Sequence, residues 1–192
     1  MDRKSFLRTI PIIGIAGGAT LLSCSTGTGT ESNFSGGDNL TGDNQILTNS
    51  AEREATAIQT YLAAAQSGLI SNQAILDTAI AYKNHHSEHL SLFNELLVEG
   101  DAQEIVLEDF GPDSRINNVT NQEEAVLLAM TLEMEAANAY FTSSVRDLEG
   151  PSAREVVGSI FPIEIAHFVS LKAAIGRAPA VDASVFTELK LT

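Results

Sequence analysis

The sequence predicts an all-α protein, a four-helix bundle, and three observations carry the prediction. Between residues 44 and 176 apolar side chains recur in alternating steps of four and three, the spacing of helices that each bury one face. The segments with that period are separated by turn signals at Gly68, Gly100, Gly111-Pro112 and Gly150-Pro151. The connection between the second and third segments is long enough to return the chain to the far end of a bundle. At 192 residues there is room for a single domain with one core.

The first helix is expected from about Asn44 to Gln66, with the seam Leu47, Ala51, Glu54, Ile58, Tyr61 and Ala65, and Gly68 stops it. Ser71 is placed to cap a second helix over about Asn72 to Val98, whose seam is Ile75, Ala79, Tyr82, His86, His89, Phe93 and Leu96. The crossover from Glu99 to Val119 follows, with one short apolar patch at Ile105 to Leu107. Thr120-Asn121-Gln122-Glu123 reads as a capping box that opens a third helix running to about Leu148, with the seam Val126, Met130, Glu133, Ala137, Tyr140 and Ser144. After Gly150-Pro151, Ser152-Ala153-Arg154-Glu155 reads as another capping box. It opens a fourth helix that ends near Gly176, with the seam Val157, Ile160, Glu164, His167, Leu171 and Ala174. Pro162 lies inside this helix and cannot bond to the carbonyl of Gly158, so a kink is expected one turn before Glu164. The tail from Pro179 to Thr192 is expected to pack along the outside.

The N-terminus has another character. Arg3, Lys4 and Arg8 precede an apolar stretch from Ile10 to Leu22, the layout of a secretory signal over residues 1–23. That stretch is too short to span a hydrocarbon core of about 30 Å at about 1.5 Å per residue. Leu21-Leu22-Ser23-Cys24 resembles a bacterial lipobox, which implies that Cys24 receives lipid and anchors the chain to a bilayer. Asp2-Arg3-Lys4-Ser5-Phe6-Leu7-Arg8 is similar to a twin-arginine export motif with one arginine replaced by lysine, so the export route stays open. Cys24 is the only cysteine, which rules out an intramolecular disulfide. The alternatives to lipidation are an intermolecular bridge and a small buried residue in an uncleaved helix. Ser25 after Cys24, in place of an aspartate, points to the outer membrane.

Residues 24–43 are rich in Ser, Thr, Gly, Asn and Asp, and read as a flexible linker ahead of the domain at 44–192. The net charge is −14, and removal of the segment before Cys24, with its three basic residues and one acidic, takes it to −16. So acidic a chain repels phosphate backbones, and nucleic acid is excluded as an expected partner. Phosphate-binding glycine loops, nucleophile elbows and zinc-type cysteine clusters are absent from the sequence.

Each helix carries a glutamate or histidine near the middle of its apolar seam, where an unpaired charge costs several kcal/mol. A shared cation site explains all four at once. The two halves also repeat. Glu54 and Tyr61 are seven residues apart, as are Glu133 and Tyr140, while His89 follows Glu54 by 35 residues and His167 follows Glu133 by 34. A duplicated helical hairpin produces this pattern.

A glutamate from each of two helices plus Glu-x-x-His from each of the other two is the ligand set of ferritin-like di-iron and di-manganese proteins. Glu164-Ile165-Ala166-His167 is such a motif, its ends three apart on one helical face. From about Asn44 to Gly176 the chain resembles this superfamily, and within it the exported bacterial ferritin-like domain proteins. The resemblance implies a ligand set of Glu54, His86, His89, Glu133, Glu164 and His167 for two iron or manganese ions, with Glu54 and Glu133 terminal and Glu164 bridging. The second helix departs from the pattern, since His86-Ser87-Glu88-His89 has histidine where the motif has a bridging glutamate. Three carboxylates leave one positive charge uncompensated beside two divalent ions, which lowers affinity for the second. Glu88, roughly 200° round the helix from His86, is expected to face solvent.

The same residues also admit plainer roles. The six side chains can hydrogen-bond one another without metal, Tyr61 and Tyr140 are read as core aromatics before carboxylate partners, and His85, Glu52 and Glu135 are read as surface residues. Met130 and Met134 are read as core filler. Two functions follow. One is an envelope-tethered di-metal oxidoreductase of ferroxidase or peroxide-consuming type, since a lipid-tethered chain is poorly placed to build a closed storage shell. The other is a metal-poor scaffold serving as a structural or binding module. A mononuclear metal carrier or sensor is a third. No catalytic residue is assigned.

Overall fold

In a computed structural model that describes residues 40–177, four helices form the expected bundle: α1 (Asn44–Gln66), α2 (Gln73–Glu99), α3 (Gln122–Thr142) and α4 (Pro151–Ala174). The expected signal segment, Cys24, most of the expected linker and the tail from Pro179 lie outside the described residues. Leu40–Asp43, expected to belong to the flexible linker, instead form a 3-10 turn leading into α1. The Asp43 carboxylate is buried and accepts hydrogen bonds from the Glu149 and Gly150 amides at 2.9 and 2.8 Å, which ties the start of α1 to the turn between α3 and α4.

The starts of α2 and α3 follow capping chemistry, each one residue away from the expected position. Asn72, in extended conformation, caps α2, its side-chain oxygen accepting from the Ala74 and Ile75 amides, so Ser71 stands outside the helix. At α3 the box is Asn121 with Glu124. Asn121 accepts from the Glu124 amide at 2.9 Å, while the Glu124 carboxylate reaches back to the amide and hydroxyl of Thr120 at 2.8 Å. The capping box expected at Ser152 and Glu155 does not form. Pro151 occupies the first turn and Gly150 precedes it, because proline lacks the amide that a cap would satisfy. The helix continues through Pro162. Gly68 and Gly176 lie just past α1 and α4 with φ of 74° and 70°, the left-handed conformation that ends helices. The last turn of the third helix is π-helical, Ser143–Asp147, and delivers Leu148 into the core.

α1 packs chiefly on α2 and α3 on α4, giving two hairpins joined by the crossover. That crossover holds two 3-10 turns, Leu107–Asp109 and Ser114–Asn118. Helix side chains fasten its backbone to the bundle: the Asn94 side-chain amide donates to the Ile105 carbonyl and accepts from the Ile105 amide, and the Asp113 amide donates to the Thr60 hydroxyl at 2.8 Å. Two apolar clusters fill the interior. The larger includes Leu47, Ile58, Phe93, Leu97, Tyr140, Val157 and Ile160, and the smaller includes Ile75, Val126, Met130, Met134, Phe168 and Leu171. Along α2, α3 and α4 the seam passes from one cluster to the other across buried polar side chains.

Candidate metal centre

Those side chains are Glu54 from α1, His86 and His89 from α2, Glu133 from α3, and Glu164 and His167 from α4, each no more than 4% exposed. Their seam positions aim them inward, as the four-and-three period requires. His86 joins the two halves. Its Nδ1 lies 2.7 Å from Glu54 Oε2 and its Nε2 3.3 Å from Glu133 Oε1. His89 Nδ1 lies 3.0 Å from Glu164 Oε1, and His167 Nδ1 lies 3.3 Å from both Glu133 Oε2 and Glu164 Oε2. Two groups of four result, Glu54, His86, His89 and Glu164, and His86, Glu133, Glu164 and His167. Within each, one donor atom per residue lies within 4.8 Å of every other. Glu164 and His86 belong to both.

The repeat of glutamate and tyrosine has a structural consequence. The Tyr61 hydroxyl of α1 donates to Glu133 of α3, and the Tyr140 hydroxyl of α3 donates to Glu54 of α1. Of the two roles open to these tyrosines, the carboxylate-partner role holds over the preferred core-aromatic one: each is buried and holds a carboxylate of the opposite hairpin. His85 also differs from its expected surface place. It is half-buried, its Nδ1 lies 2.9 Å from His167 Nε2, and Tyr82 stacks on the His167 ring at 3.8 Å between centroids. His85 is about 100° from His86 around the helix, off the seam toward α1, α3 and the core but toward α4. The three-residue spacing of Tyr82 and His85 was the available signal. Glu88 and Glu135 are exposed and Glu52 half-buried, and Glu135 pairs with Arg115 at 2.8 Å.

Burial works against every charge here, and the neighbours decide the outcome. Burial would raise the Glu54 carboxyl, but His86 and His89 hold it down at about 2. Glu133 is likewise brought well below the usual carboxylate range, against its burial, chiefly by His86. Burial would lower the imidazoles, yet the carboxylates beside them raise His89 to about 9 and push His86 and His167 up as well. Glu164 is raised by burial and by Glu133 next to it. His85 goes the other way, lowered by burial and by His167.

The donor set suits iron or manganese, which accept mixed carboxylate and imidazole ligands. A second observation fits a cation. His89 Nδ1 and both oxygens of Glu164 are buried and lie within ion-pair distance of one another or of His167, yet none is aligned for a hydrogen bond. Native interiors rarely leave such atoms unpaired, and a missing ion is one accepted cause. The side chains are compatible with metal binding.

The ferritin-like domain profile matches residues 42–177, which covers the described bundle almost end to end. A search of curated proteins and a search of solved structures each return no match. The family match spans well over half of the chain and coincides with the four helices and their buried glutamates and histidines, so the chain belongs to the ferritin-like domain family.

Proposed function

We propose that the chain binds two iron or manganese ions through Glu54, His86, His89, Glu133, Glu164 and His167, and that it works as an oxidoreductase of ferroxidase or peroxide-consuming type. Tethering to the cell envelope through lipidated Cys24 is part of the proposal, and its support is the sequence around Cys24. The observation that carries the metal reading is the convergence of the six buried side chains into two groups of four, whose ligand atoms lie within 4.8 Å of one another. When bound, such ions supply redox chemistry and open coordination positions. The chain's own residues do the rest. Tyr61 and Tyr140 fix the orientation of Glu133 and Glu54, and His85 holds the far nitrogen of His167.

A second reading, the metal-poor scaffold, is favoured by His86. Its two ring nitrogens already face Glu54 and Glu133, and it occupies the place of the fourth carboxylate. Metal analysis of the purified chain after exposure to Fe(II) or Mn(II) under reducing conditions separates the two. The di-metal reading expects about two ions per chain, as in two-metal sites generally. Glu164→Ala, which touches both groups, should abolish uptake, and His167→Ala, which touches one, should leave at most one ion. Failure of the unaltered chain to take up metal would favour the scaffold. Cys24→Ser should move the chain from the membrane fraction to the soluble one.

A further inference from the structure

A cavity of about 420 Å³ opens between α1 and α3 beneath the crossover, and it reaches Glu54 and His86. It is large for dioxygen or peroxide and of the size that holds a small organic molecule. Its walls divide by chemistry. Phe110, Leu132, Ala57 and Ala136 provide an apolar side, and the charged side carries Arg53, Glu52, Asp113 and Glu135. Arg115 pairs with both Asp113 at 2.7 Å and Glu135 at 2.8 Å, so their hydrogen-bonding capacity is largely taken up and one of their two charges is offset. Arg53 differs: it is half-buried, and among the described residues it has no ion-pair partner. A guanidinium presents five N–H donors in a planar fork that matches a carboxylate.

We propose that this cavity binds a small organic carboxylate, with Arg53 taking the carboxylate group and Phe110 and Leu132 the apolar body, so that the ligand lies against Glu54 and His86. The assignment rests on the metal reading only for its consequence, that the bound molecule is a substrate of the centre. Binding itself needs no metal. Arg53 is a binding residue on α1, one position before Glu54, so the helix that supplies a ligand also supplies the anchor.

The probes are 4-fluorobenzoate and its neutral counterpart 4-fluorobenzamide, followed by fluorine NMR on the full chain, metal-free and after loading with Mn(II) or Zn(II). The benzoate should bind at least about tenfold more tightly than the benzamide, the discrimination that a charge-assisted pair supports. Arg53→Gln should erase that preference while metal uptake is unchanged. Equal binding of the two probes, binding of neither, or an unaltered preference in Arg53→Gln would overturn the proposal. So would a preference for 4-fluorobenzylamine, which would make the acids the operative groups. The comparison of probes on the unaltered chain needs no variant, so it holds even if Arg53→Gln folds poorly. Loss of metal uptake with benzoate binding intact would count against the metal reading and leave the cavity assignment standing.

Discussion

Metal loading of this centre should expel protons, and their number follows from the ion pairs inside it. In the metal-free domain His89 titrates at about 9, so at pH 7 it is roughly 99% protonated. His86 is also held well above its ordinary range by Glu133 and Glu54. Glu54, at about 2, and Glu133, lower than usual, are already ionised and release nothing. A cation needs the neutral imidazole, so full loading at pH 7 should release about two protons from His86 and His89, with a further contribution from His167. The overall loading constant should then rise about a hundredfold per pH unit near neutrality. Titration calorimetry with Mn(II) in phosphate and in Tris, whose ionisation enthalpies differ, counts the protons directly. Release of less than about half a proton per chain would refute the account, since ions would then be binding to exposed carboxylates and not to the buried imidazoles.

The same pairs set the pH dependence of the metal-free fold. The raised His89 contributes stability that is complete below about pH 6.5 and lost as pH rises through about 9, on the order of 3 kcal/mol, whereas the lowered Glu54 contributes stability present above about pH 4.5 and lost as pH falls toward about 2. Melting temperature should therefore be highest between about pH 4.5 and 6.5, and a flat profile from pH 6 to 10 would contradict this. Tyr140→Phe removes the donor to Glu54 and should cost about 1–3 kcal/mol in chemical denaturation, with metal affinity lowered about 10- to 100-fold. Unchanged affinity would return Tyr140 to a packing role. His86→Glu restores the fourth carboxylate, so it should melt below the unaltered chain when metal-free but bind the second ion about tenfold more tightly, both measurable by calorimetry.

Much of the fold and of the centre is legible in the sequence. The helical period located all four helices within a residue or two, and it placed Glu54, His86, His89, Glu133, Glu164 and His167 in the interior, where they are found. The caps were less legible. Ser71 and Asn72, or Thr120 and Asn121, are adjacent residues of similar capping strength, and only backbone conformation decides between them. For Tyr61 and Tyr140 the sequence leaves two roles open, because a seam shows that a side chain faces inward but not what its polar end meets. The reciprocal bonds need both hairpins assembled. His85 was misjudged because its face of α2 is covered by α4, and a single-helix pattern does not record which neighbour lies on which side. Arg53 had no visible role in the sequence, since the cavity it lines forms only when the crossover lies over α1 and α3.

The most direct test is crystallographic: the chain crystallised with Mn(II) or Fe(II), with anomalous differences recorded at the metal edge. Two peaks should appear, one among Glu54, His89 and Glu164 and the other among Glu133, His167 and Glu164, with His86 adjoining both. Peaks confined to exposed acids such as Glu123 or Glu88, with the six buried side chains hydrogen-bonded only to one another, would contradict the metal centre and leave a helical scaffold.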